Sequence, residues 1–369
     1  MTESVGRTAG PVRVGVVGGN VDQGWAADSH IPALRALAGF SISAVCTTRQ
    51  ESANHAAGVL GAEAHLDPVG MANSASVDLV AVCVKVPDHA AAVLPALEAG
   101  KPVYCEWPLG RTTEEAERMA ALARSRGVAT VVGLQARGSL ELNHVRTLIA
   151  EGYVGAVTSV SFYGAYGFWS DTVTNRFMAD LTQGINLLTI PVGHTLDALA
   201  FMLGDELRSV QAVIESKRAE TRIRSTGERL ELTSPDHVSV LGRYGNGALL
   251  SAQFLGGAGR RPQSRIEIDG AEGGLSLEVD GLIENRPIRI RGYRKGGGDA
   301  EVLTPPANLI VAPEVPSGTP FNVGQMYARF GRELVGGARS LPDFDHAVRL
   351  HRLLDVIRTA AETGRAVEV

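Results

Sequence analysis

The sequence predicts an α/β fold in two domains. Residues 1–134 are expected to form a doubly wound parallel sheet, and residues 135–369 an α+β domain with a large open sheet of mixed or antiparallel strands. The chain of 369 residues is about twice as long as a typical domain. In its first third, short β-rich runs alternate with helical runs, which indicates a parallel sheet covered on both faces. After about Leu134, tight turns join longer amphipathic runs.

The first strand, Val12–Val17, is rich in valine and ends at the turn Gly18-Gly19. Apolar residues at helical spacing in Ile31–Leu37 then predict a helix, so this segment has the order strand, glycine turn, helix. The same alternation continues to Leu134. The further predicted strands are 41–46, 79–84, 103–106 and 128–134, and the further predicted helices are 51–60, 89–99 and one that starts at 112–115.

The second domain is predicted to contain hairpins and two helices. Asn246-Gly247 is a strong turn signal within residues 242–251, and residues 266–277 have a similar pattern. Apolar runs predict helices near residues 187–203 and 345–363. Between Arg294 and Asn322, a stretch rich in glycine and proline is expected to be a long surface loop or an insertion.

The composition is that of an ordinary soluble globular protein, with 44% hydrophobic and 20% charged residues. The net charge of −5 and the sequence pI near 6.0 argue against binding to nucleic acid or to an anionic membrane surface. No segment approaches the roughly 18 uninterrupted apolar residues of a membrane span, and the stretch Met1 to Pro11 lacks the apolar core of a secretion signal. We therefore expect a cytoplasmic protein.

The three cysteines, Cys46, Cys83 and Cys105, lie in or beside apolar runs and show no CxxC spacing. Buried thiols in a reducing compartment are therefore expected in place of disulfides or zinc ligands. No metal site is predicted.

The turn after the first strand is a candidate nucleotide-binding loop. Residues without a Cβ let backbone N–H groups and a helix N-terminus approach a pyrophosphate. Gly18 and Gly19 stand at the turn, but Asn20 occupies the position of the second glycine in GxGxxG, and Gly24 follows only after a longer loop. A glycine-rich turn without a ligand is the alternative. The strands and helices that follow favour a dinucleotide.

The end of the second predicted strand bears on the choice of dinucleotide. An acid at this point usually binds the ribose 2′-hydroxyl and would repel a 2′-phosphate. This chain has Thr47, Thr48 and Arg49 instead, and two hydroxyls with a guanidinium suit a phosphate better than a diol. NADP(H) is therefore predicted over NAD(H). The alternative is that Arg49 is a solvated residue at the start of a helix.

Several residues follow strands at the carboxyl edge, where open α/β sheets bind ligands. Pro87 and His89 come after the predicted strand 79–84, and Glu106 ends the predicted strand 103–106. Lys85 interrupts an apolar strand in this prediction, so it either contacts a ligand or buries only its stem. Trp107 follows Glu106 directly, and an indole donates one hydrogen bond but cannot accept a proton from an alcohol.

Short motifs along nearly the whole chain resemble the glucose-fructose oxidoreductase and inositol dehydrogenase superfamily, Gfo/Idh/MocA, in which the first domain is a Rossmann fold. The general resemblance rests on residues 82–110, 133–137 and 193–197. Further motifs resemble the branch of the fungal galactose-pathway repressor, which binds the dinucleotide without known turnover. These are Gly24-Trp25 ahead of His30, Glu106-Trp107, Gln135-Ala136-Arg137, Gly193-His194-Thr195 and Pro235-Asp236-His237.

Together with the loops above, the resemblance implies a set of cofactor-binding residues. In the superfamily a lysine stands where this chain has Trp107. The implied residues are Gly18, Gly19, Asn20, Trp25, Thr47, Thr48, Arg49, Lys85, Pro87, His89, Glu106, Trp107 and Gln135.

His194 and Asp197 are the candidate catalytic residues. A spacing of three places them on neighbouring faces of a predicted helix, close enough for the carboxylate to influence the imidazole. The resemblance implies that His194 points at a substrate hydroxyl and that an acid stands one turn earlier, where this chain has Ile190. A histidine can act alone as the base for alcohol oxidation, although a buried structural histidine is the alternative.

A substrate pocket is predicted from aromatic and polar residues after Val160. Tyr163, Tyr166 and Trp169 would pack on the C–H faces of a sugar ring, and polar neighbours would bind its hydroxyls. The alternative is a sheet face buried in a subunit interface. His237 is either a pocket residue or a turn residue before a strand.

Two functions remain open from the sequence. The first is an NAD(P)-dependent oxidoreductase of the Gfo/Idh/MocA type that acts on a sugar, a cyclitol or a related small molecule without the usual lysine. The second is a catalytically silent NAD(P)-binding sensor with a protein partner. In either case an open sheet favours a homo-oligomer, and we expect a dimer.

Overall fold

The computed structural model describes residues 10–258 and 262–369. Most of the stretch Met1 to Pro11, used above to argue against a secretion signal, lies outside the described residues. Internal contacts divide the chain into two compact units. The first contains the residues up to Leu109, Glu117–Gly133 and Ile310–Asp345, and the second contains Gly110–Ala116, Leu134–Leu309 and His346–Val369.

The strands of the described residues are numbered in chain order. They are β1 (Val12–Val17), β2 (Phe40–Cys46), β3 (Glu63–His65), β4 (Leu79–Val82), β5 (Val103–Glu106), β6 (Thr130–Gly133), β7 (Val157–Ala165), β8 (Thr172–Val173), β9 (Leu207–Glu215), β10 (Glu220–Ile223), β11 (Arg229–Glu231), β12 (His237–Tyr244), β13 (Leu249–Leu255), β14 (Gln263–Gly270), β15 (Gly273–Val279), β16 (Ile288–Arg294), β17 (Glu301–Val302) and β18 (Val367–Glu368).

The helices are numbered in the same way. The α-helices are α1 (Ile31–Ala36), α2 (Gln50–Leu60), α3 (Pro68–Asn73), α4 (His89–Glu98), α5 (Thr113–Arg126), α6 (Leu140–Ala150), α7 (Gly193–Leu203), α8 (Thr319–Leu334) and α9 (Phe344–Thr363). Two π-helical segments, Ala26–His30 and Leu188–Val192, lead directly into α1 and α7. Short 3₁₀ turns occupy Val86–Asp88, Gln135–Gly138, Arg176–Met178, Leu181–Gln183 and Ala307–Leu309.

The first unit contains a six-stranded parallel sheet in the order β3-β2-β1-β4-β5-β6. Every residue of β4 and β5 is buried, as expected for a parallel sheet covered on both faces. The chain passes from β1 to β2 on one side and continues with β4 on the other side of β1. This reversal opens a crevice at the carboxyl ends of β1 and β4, which is where doubly wound sheets bind ligands. The predicted parallel sheet is confirmed.

The second unit contains a nine-stranded sheet in the order β17-β16-β15-β14-β7-β13-β12-β9-β18. Within this sheet β7 and β13 pair in parallel, and the other neighbouring strands pair antiparallel. The sheet is therefore mixed, as predicted. The predicted turn at Asn246-Gly247 joins β12 to β13, with Gly247 at φ +91°. Burial alternates along β12 and β13, which leaves one face of the sheet exposed.

Helix boundaries follow local signals in the sequence. Asp67 caps α3, because its carboxylate accepts a hydrogen bond of 2.7 Å from the N–H of Gly70. Ser139 caps α6 in the same way. Gly61 and Gly204 end α2 and α7 in the left-handed conformation that a glycine adopts without strain.

The prediction of a surface loop between Arg294 and Asn322 is wrong for the second half of this stretch. Ala312 and Val315 are buried in the hydrophobic core of the first unit. The side chain of Gln325 in α8 binds this segment, because its Oε1 accepts from the N–H groups of Val311 and Ala312 at 2.8 and 2.9 Å. The glycines and prolines around the segment obscured a short apolar run that packs with α8. Residues 310–345 therefore belong to the first unit, although the prediction placed them in the second domain.

The prediction that Lys85 interrupts a strand is also wrong. Strand β4 ends at Val82, and Lys85 is an exposed residue directly before the 3₁₀ turn Val86–Asp88. Pro87 fixes φ in that turn and ends the extended run. The three cysteines are free thiols.

Among the described residues, none of the helices has both the length and the apolar character needed to cross a membrane. The same part of the chain contains no group of three or more His, Cys, Asp or Glu side chains placed to hold a metal ion.

Candidate functional site

The glycine turn after β1 packs closely against the end of β4. Gly18 has φ +83°, and a Cβ at this residue would lie 3.0 Å from the carbonyl group of Cys83. At Gly19 a Cβ would lie 3.0 Å from the carbonyl oxygen of Val16. Both N–H groups point to the carbonyl oxygen of Cys46, at 2.9 and 3.3 Å. The two glycines therefore shape the turn, and the residues after them must supply donors to a ligand.

Asn20 organises the longer loop that replaces GxGxxG. Its Oδ1 accepts hydrogen bonds from the N–H groups of Asp22 and Gln23, at 2.8 and 3.3 Å. Gly24 then takes φ +96°, and the helical segment starts at Ala26. The side chain at the second glycine position thus stabilises the loop through an Asx turn.

Trp25 has an unsatisfied donor at the start of this helix. Its indole Nε1 is buried and has no hydrogen-bond partner within the described residues. The N–H of Asp28 in the first turn donates to the carbonyl oxygen of Gly24 at 3.0 Å, so the helix start offers a ligand the N–H groups that precede it. Buried donors of this kind are normally paired with something, which makes this turn suited to an acceptor such as a pyrophosphate.

The loop after β2 presents Arg49 to solvent. Thr47 donates its hydroxyl to the carbonyl of Arg49 at 3.1 Å and lies 2.7 Å from the hydroxyl of Ser52. Thr48 and Arg49 are exposed. No acid occupies this loop, so a phosphate on the adenine ribose would meet a free guanidinium and no carboxylate from residues 47–49.

His89 is a buried residue that joins two loops of the first unit. Its Nε2 lies 3.1 Å from the carbonyl oxygen of Val84, and its Nδ1 lies 3.4 Å from the thiol of Cys105 and 3.3 Å from the carbonyl oxygen of Leu109. Burial lowers the pKa of His89, which favours the neutral ring with Nε2 as the donor. The ring thereby fixes the loop that contains Lys85 and Pro87.

Glu106 is held by a buried relay of side chains. His30 is fully buried, and its Nε2 donates to Oε1 of Glu106 at 2.9 Å. The hydroxyl of Tyr327 lies 2.8 Å from Nδ1 of the same ring. Burial raises the pKa of Tyr327 far above its usual range, so the phenol stays protonated and donates to the imidazole. The relay fixes the direction of the Glu106 carboxylate.

Gly133 in β6 is the residue that makes room for Glu106. It pairs with Glu106 in the sheet, and a Cβ on Gly133 would collide with Oε1 of the carboxylate. Trp107 follows and is only 4% exposed. A bulky buried indole thus occupies the place of the lysine that the resemblance implies.

These observations fit a dinucleotide in the first unit. The turn at Gly18 and Gly19 allows a close approach of backbone, Trp25 provides an orphaned donor, and Glu106 is pre-oriented at the carboxyl end of β5. All of these features lie at the edge of the sheet where a doubly wound fold binds its cofactor.

His194 lies in the first turn of α7 in the second unit. The π-helical segment Leu188–Val192 precedes it and contains Ile190, which takes the place of the implied acid. His194 is 5% exposed, and its Nδ1 is buried with no hydrogen-bond partner within the described residues. Burial lowers its pKa to about 4, although Asp197 opposes the shift. The ring is therefore neutral at physiological pH, and the same burial makes it a weaker proton acceptor than a solvated imidazole.

Asp197 binds groups other than His194. Arg137 donates Nε and one terminal nitrogen to the two carboxylate oxygens, at 2.9 and 2.7 Å. His346 donates Nε2 to Oδ1 at 2.6 Å. Burial opposes ionisation, but Arg137 and His346 outweigh it and hold the pKa of Asp197 well below its usual range. Asp197 thus acts on His194 by its charge and by fixing α7.

The predicted aromatic pocket residues separate onto different surfaces. Tyr163 lies in β7 beside Gln253 and Arg265, which are exposed, so it belongs to the open face of the sheet. Tyr166 is buried, and its hydroxyl lies 3.4 Å from that of Ser264 and close to that of Thr195, the neighbour of His194. Of Tyr163 and Tyr166, Tyr166 is therefore the one that lies close to α7.

The loop before Trp169 and the residue before His237, the first residue of β12, both contact the glycines that follow β13. Gly257 donates to the carbonyl of Phe168 at 2.6 Å, and Gly256 donates to the carbonyl of Asp236 at 2.7 Å. The carboxylate of buried Asp236 accepts from Nδ1 of His237 at 2.7 Å. Trp169 is 2% exposed, and its Nε1 has no partner among the described residues. His237 is therefore an oriented and accessible imidazole at the start of β12.

Gln135 starts the 3₁₀ turn before α6 and is buried. Five residues that support the predicted site residues were not predicted to do so: His30, Tyr327 and Gly133 around Glu106, and Arg137 and His346 around Asp197. His30, Gly133 and Arg137 stand within sequence motifs, but nothing in the sequence pairs them with their partners. Such pairs are up to 297 residues apart along the chain.

Comparison with protein families gives two matches. Residues 12–134 match the GFO_IDH_MocA model, described as an oxidoreductase family with an NAD-binding Rossmann fold. Residues 141–279 match the C-terminal domain of Gal80p. The galactose/lactose metabolism regulatory protein GAL80 of Saccharomyces cerevisiae is 30% identical over 294 residues, which cover 74% of this chain and 68% of that protein. The chain belongs to the Gfo/Idh/MocA family.

Two further relatives are named as dehydrogenases. The dehydrogenase aclE of Aspergillus oryzae is 35% identical over 170 residues, which cover 45% of this chain and 46% of that protein. Inositol 2-dehydrogenase 3 of Saccharopolyspora erythraea is 32% identical over 213 residues, which cover 57% and 59%. A crystal structure of a super-repressor mutant of Gal80p from Saccharomyces cerevisiae matches with a TM-score of 0.86 at 25% identity, covering 97% of this chain and 98% of that one. These findings confirm the resemblance and the fold.

Proposed function

We propose that the chain is an NAD(P)-dependent oxidoreductase that acts on a sugar, a cyclitol or a related small molecule, with His194 as its acid and base. The observation that carries this proposal is the His194 imidazole itself. It is buried and neutral at the start of α7, and its Nδ1 lacks a partner among the described residues. A ring in that state can take the hydroxyl proton of a secondary alcohol.

The residues of the first unit would hold the cofactor. The helix start near Trp25 would bind the pyrophosphate, Pro87 and the loop fixed by His89 would border the adenine ribose, and Glu106 would bind the nicotinamide ribose. When bound, the nicotinamide supplies the acceptor or donor of hydride. Trp107 would shape the wall of the site but cannot accept a proton, so the proton of the substrate hydroxyl would pass to His194.

The substrate would be bound by residues of the second unit. Tyr166 and Trp169 offer apolar faces, and His237, oriented by Asp236, offers a hydrogen bond to a hydroxyl. Relatives such as the inositol 2-dehydrogenase support a polyhydroxylated substrate. Asp197 serves as a positioning residue, because its bonds to Arg137 and His346 fix the helix that carries His194.

The experiment that tests this function is a turnover screen. Purified protein is incubated with NADP⁺ or NAD⁺ and a panel of sugars and cyclitols, while absorbance of the reduced nicotinamide is recorded. His194→Ala is expected to reduce kcat by about 10²- to 10⁴-fold, the usual effect of losing a general base. His55→Ala, on an exposed part of α2, is the control and should turn over normally.

A catalytically silent sensor is the second candidate function. Trp107 and Ile190 replace both groups that would assist His194, and the match of residues 141–279 to the Gal80p C-terminal domain favours regulation through a protein partner. Tight cofactor binding, measured by calorimetry, with no turnover on any substrate would decide for the sensor. Turnover that is abolished in His194→Ala would decide for the enzyme.

A preference for NADP(H) over NAD(H) is part of the proposal. Support comes from the exposed guanidinium of Arg49 and from the absence of an acid at residues 47–49. Arg49→Ala should weaken NADP⁺ binding about tenfold and leave NAD⁺ binding unchanged, because only NADP⁺ carries the 2′-phosphate. Arg126→Ala, at the exposed end of α5, is the matched control. Equal losses for both cofactors in Arg49→Ala would contradict the preference.

A homodimer through the open sheet face is also proposed. Val213, Leu241 and Leu249 are 58%, 54% and 50% exposed on that face, and such apolar exposure is typical of a protein interface. Light scattering checks the dimer, and a monomer at micromolar concentration would contradict it. The cytoplasmic location stays a prediction.

A further inference from the structure

Glu106 places a negative charge on the nicotinamide side of the proposed cofactor site. Its side chain is 11% exposed at the carboxyl end of β5, so the carboxylate is mostly buried but still accessible to a ligand. The hydrogen bond of 2.9 Å from Nε2 of His30 fixes its direction. A ligand at this edge of the sheet would therefore meet a carboxylate that is held in place.

His30 orients this carboxylate without neutralising it. The hydroxyl of Tyr327 donates to Nδ1 of His30 at 2.8 Å, since burial holds the pKa of the phenol far above its usual range. An imidazole that accepts at Nδ1 and donates at Nε2 is in its neutral form. The bond from His30 to Glu106 is therefore made by an uncharged donor.

Buried side chains of the first unit respond to the charge of Glu106. Burial raises the pKa of Tyr104 and of Cys105 well above their usual ranges, and the Glu106 carboxylate adds to both shifts. Burial lowers the pKa of His89, and Glu106 opposes that shift, as a nearby negative charge does. Among the described residues, no cation contributes to any of these three shifts. The charge of Glu106 thus acts across this end of the sheet.

Trp107, which follows Glu106 directly, adds no positive charge to the site. An indole is neutral, whereas the lysine that the resemblance implies at this position would be a cation. The loop before α4 contributes one exposed residue of each sign, Lys85 and Asp88, so its net charge is zero. Replacement of a lysine by Trp107 therefore makes this end of the sheet more negative by one charge.

The two redox forms of a nicotinamide dinucleotide differ by one charge at the ring. The oxidised ring is a cation, the reduced ring is neutral, and the rest of the molecule is the same in both forms. A fixed carboxylate near the ring therefore attracts the oxidised form more strongly. For unit charges about 7 Å apart, Coulomb's law gives a factor of about 3 to about 50 in affinity, between the dielectric constant of water and an effective value of about 20.

We propose that the chain binds the oxidised nicotinamide dinucleotide about tenfold more tightly than the reduced one, and that Glu106 and Trp107 together set this preference. The inference rests on the cofactor site of the proposed function, with Glu106 beside the nicotinamide ribose, and does not require turnover. In an oxidoreductase the preference would favour release of the reduced cofactor after hydride transfer. In a silent sensor it would make occupancy follow the ratio of the two forms.

Isothermal titration calorimetry of the full chain tests the preference. NADP⁺ is compared with NADPH, and NAD⁺ with NADH. Within each pair the adenine ribose is the same, so the ratio of the two dissociation constants reports on the nicotinamide alone. We expect the Kd of the reduced form to be about ten times that of the oxidised form in each pair that binds.

Trp107→Lys should lower this ratio to about one, because an ammonium group beside Glu106 cancels the field of its carboxylate. Trp107→Met is the matched control, since methionine has an unbranched chain of similar length without a charge, and it should keep the wild-type ratio. Trp107 is only 4% exposed, so melting temperatures are recorded for both variants.

Glu106→Gln gives the same test without a buried lysine. Glutamine keeps an acceptor for His30 and removes the charge, so the ratio should again fall to about one, mainly through weaker binding of the oxidised form. Glu98→Gln, at the exposed end of α4, removes a carboxylate elsewhere in the first unit and should leave the ratio unchanged.

Equal affinity for the two forms in the wild-type protein would overturn the inference, and so would a ratio that both Trp107→Lys and Glu106→Gln leave unchanged. Absence of binding of either form would overturn it together with the proposed cofactor site. Each readout is binding, so a protein that shows the expected ratio but no turnover would contradict the oxidoreductase proposal and leave this inference intact.

Discussion

Single residues in the first unit fix the orientation of the Glu106 carboxylate. A carboxylate at the end of a strand can normally rotate, and its position becomes defined only when fixed partners surround it. Here His30 donates to it, Tyr327 donates to His30, and Gly133 leaves the space that its oxygen fills. The stacking of Tyr104 on Tyr327, with ring centroids 4.6 Å apart, restricts the phenol in turn. Pre-orientation of this kind lowers the entropy cost of ligand binding.

Gly133→Ala is expected to disturb this arrangement. The new methyl group would displace Oε1 of Glu106 and break its bond to His30, which should lower the free energy of unfolding by about 1–3 kcal/mol. Urea denaturation measures the loss. Gly39→Ala is the control, because a Cβ at exposed Gly39 meets nothing within 4 Å. Equal effects of the two substitutions would show that the close contact at Gly133 is relieved without moving Glu106.

At the scale of elements, the sequence predicted most strands of the parallel sheet and the positions of the two functional helices, but not the π-helical segments that precede α1 and open the second of these helices. Valine-rich runs such as β1 and β5 are short, bounded and apolar, so their type is unambiguous. One π-helical segment ends at His30, and the other ends at Val192, two residues before His194. Sequence patterns do not reveal such segments, because π-helices lack a propensity signal of their own. Spacing arguments assume 3.6 residues per turn, so the relation of Ile190 to His194 could not be derived from the sequence.

The candidate site shows the same limit for side-chain pairs. Gly18, Glu106 and His194 could be proposed as site residues from the sequence because they stand in local motifs at element ends. Their supporting partners could not, since Tyr327 and His346 reach the site from helices near the end of the chain. The Asp197 carboxylate was expected to serve His194, whereas the bidentate geometry of Arg137 captures it. Ion pairs between residues far apart in the sequence are formed by the fold, and the spacing of residues within one helix does not predict them.

At the scale of the whole molecule, buried histidines make folding depend on pH. Burial lowers the pKa of His194 and of His351 to about 4, with Arg358 contributing at His351, and burial lowers the pKa of His89 as well. In the unfolded chain these rings titrate near 6.5. Between about pH 6.5 and 4 the unfolded state therefore binds more protons than the folded state, so stability falls as the pH falls through this window.

One buried carboxyl acts in the opposite direction. Burial raises the pKa of Glu284 to about 7, so the folded state holds a proton that the unfolded state releases above about pH 4.5. Its contribution is present at low pH and is lost as the pH rises toward 7. The effect of His89, His194 and His351 is opposite to that of Glu284 and larger. The free energy of unfolding therefore falls as the pH falls from 7 toward 4.

The free energy of unfolding should therefore be lower at pH 5 than at pH 7, by on the order of a few kcal/mol, and urea midpoints at the two values measure the difference. His194→Gln should make the midpoint less sensitive to pH, because glutamine leaves no ring to protonate in the unfolded state. His55→Gln is the control, since an exposed ring titrates similarly in both states. A midpoint that stays constant or rises toward pH 5 would mean that the three rings are not buried in their neutral form, and would remove the support for a neutral His194 as a proton acceptor.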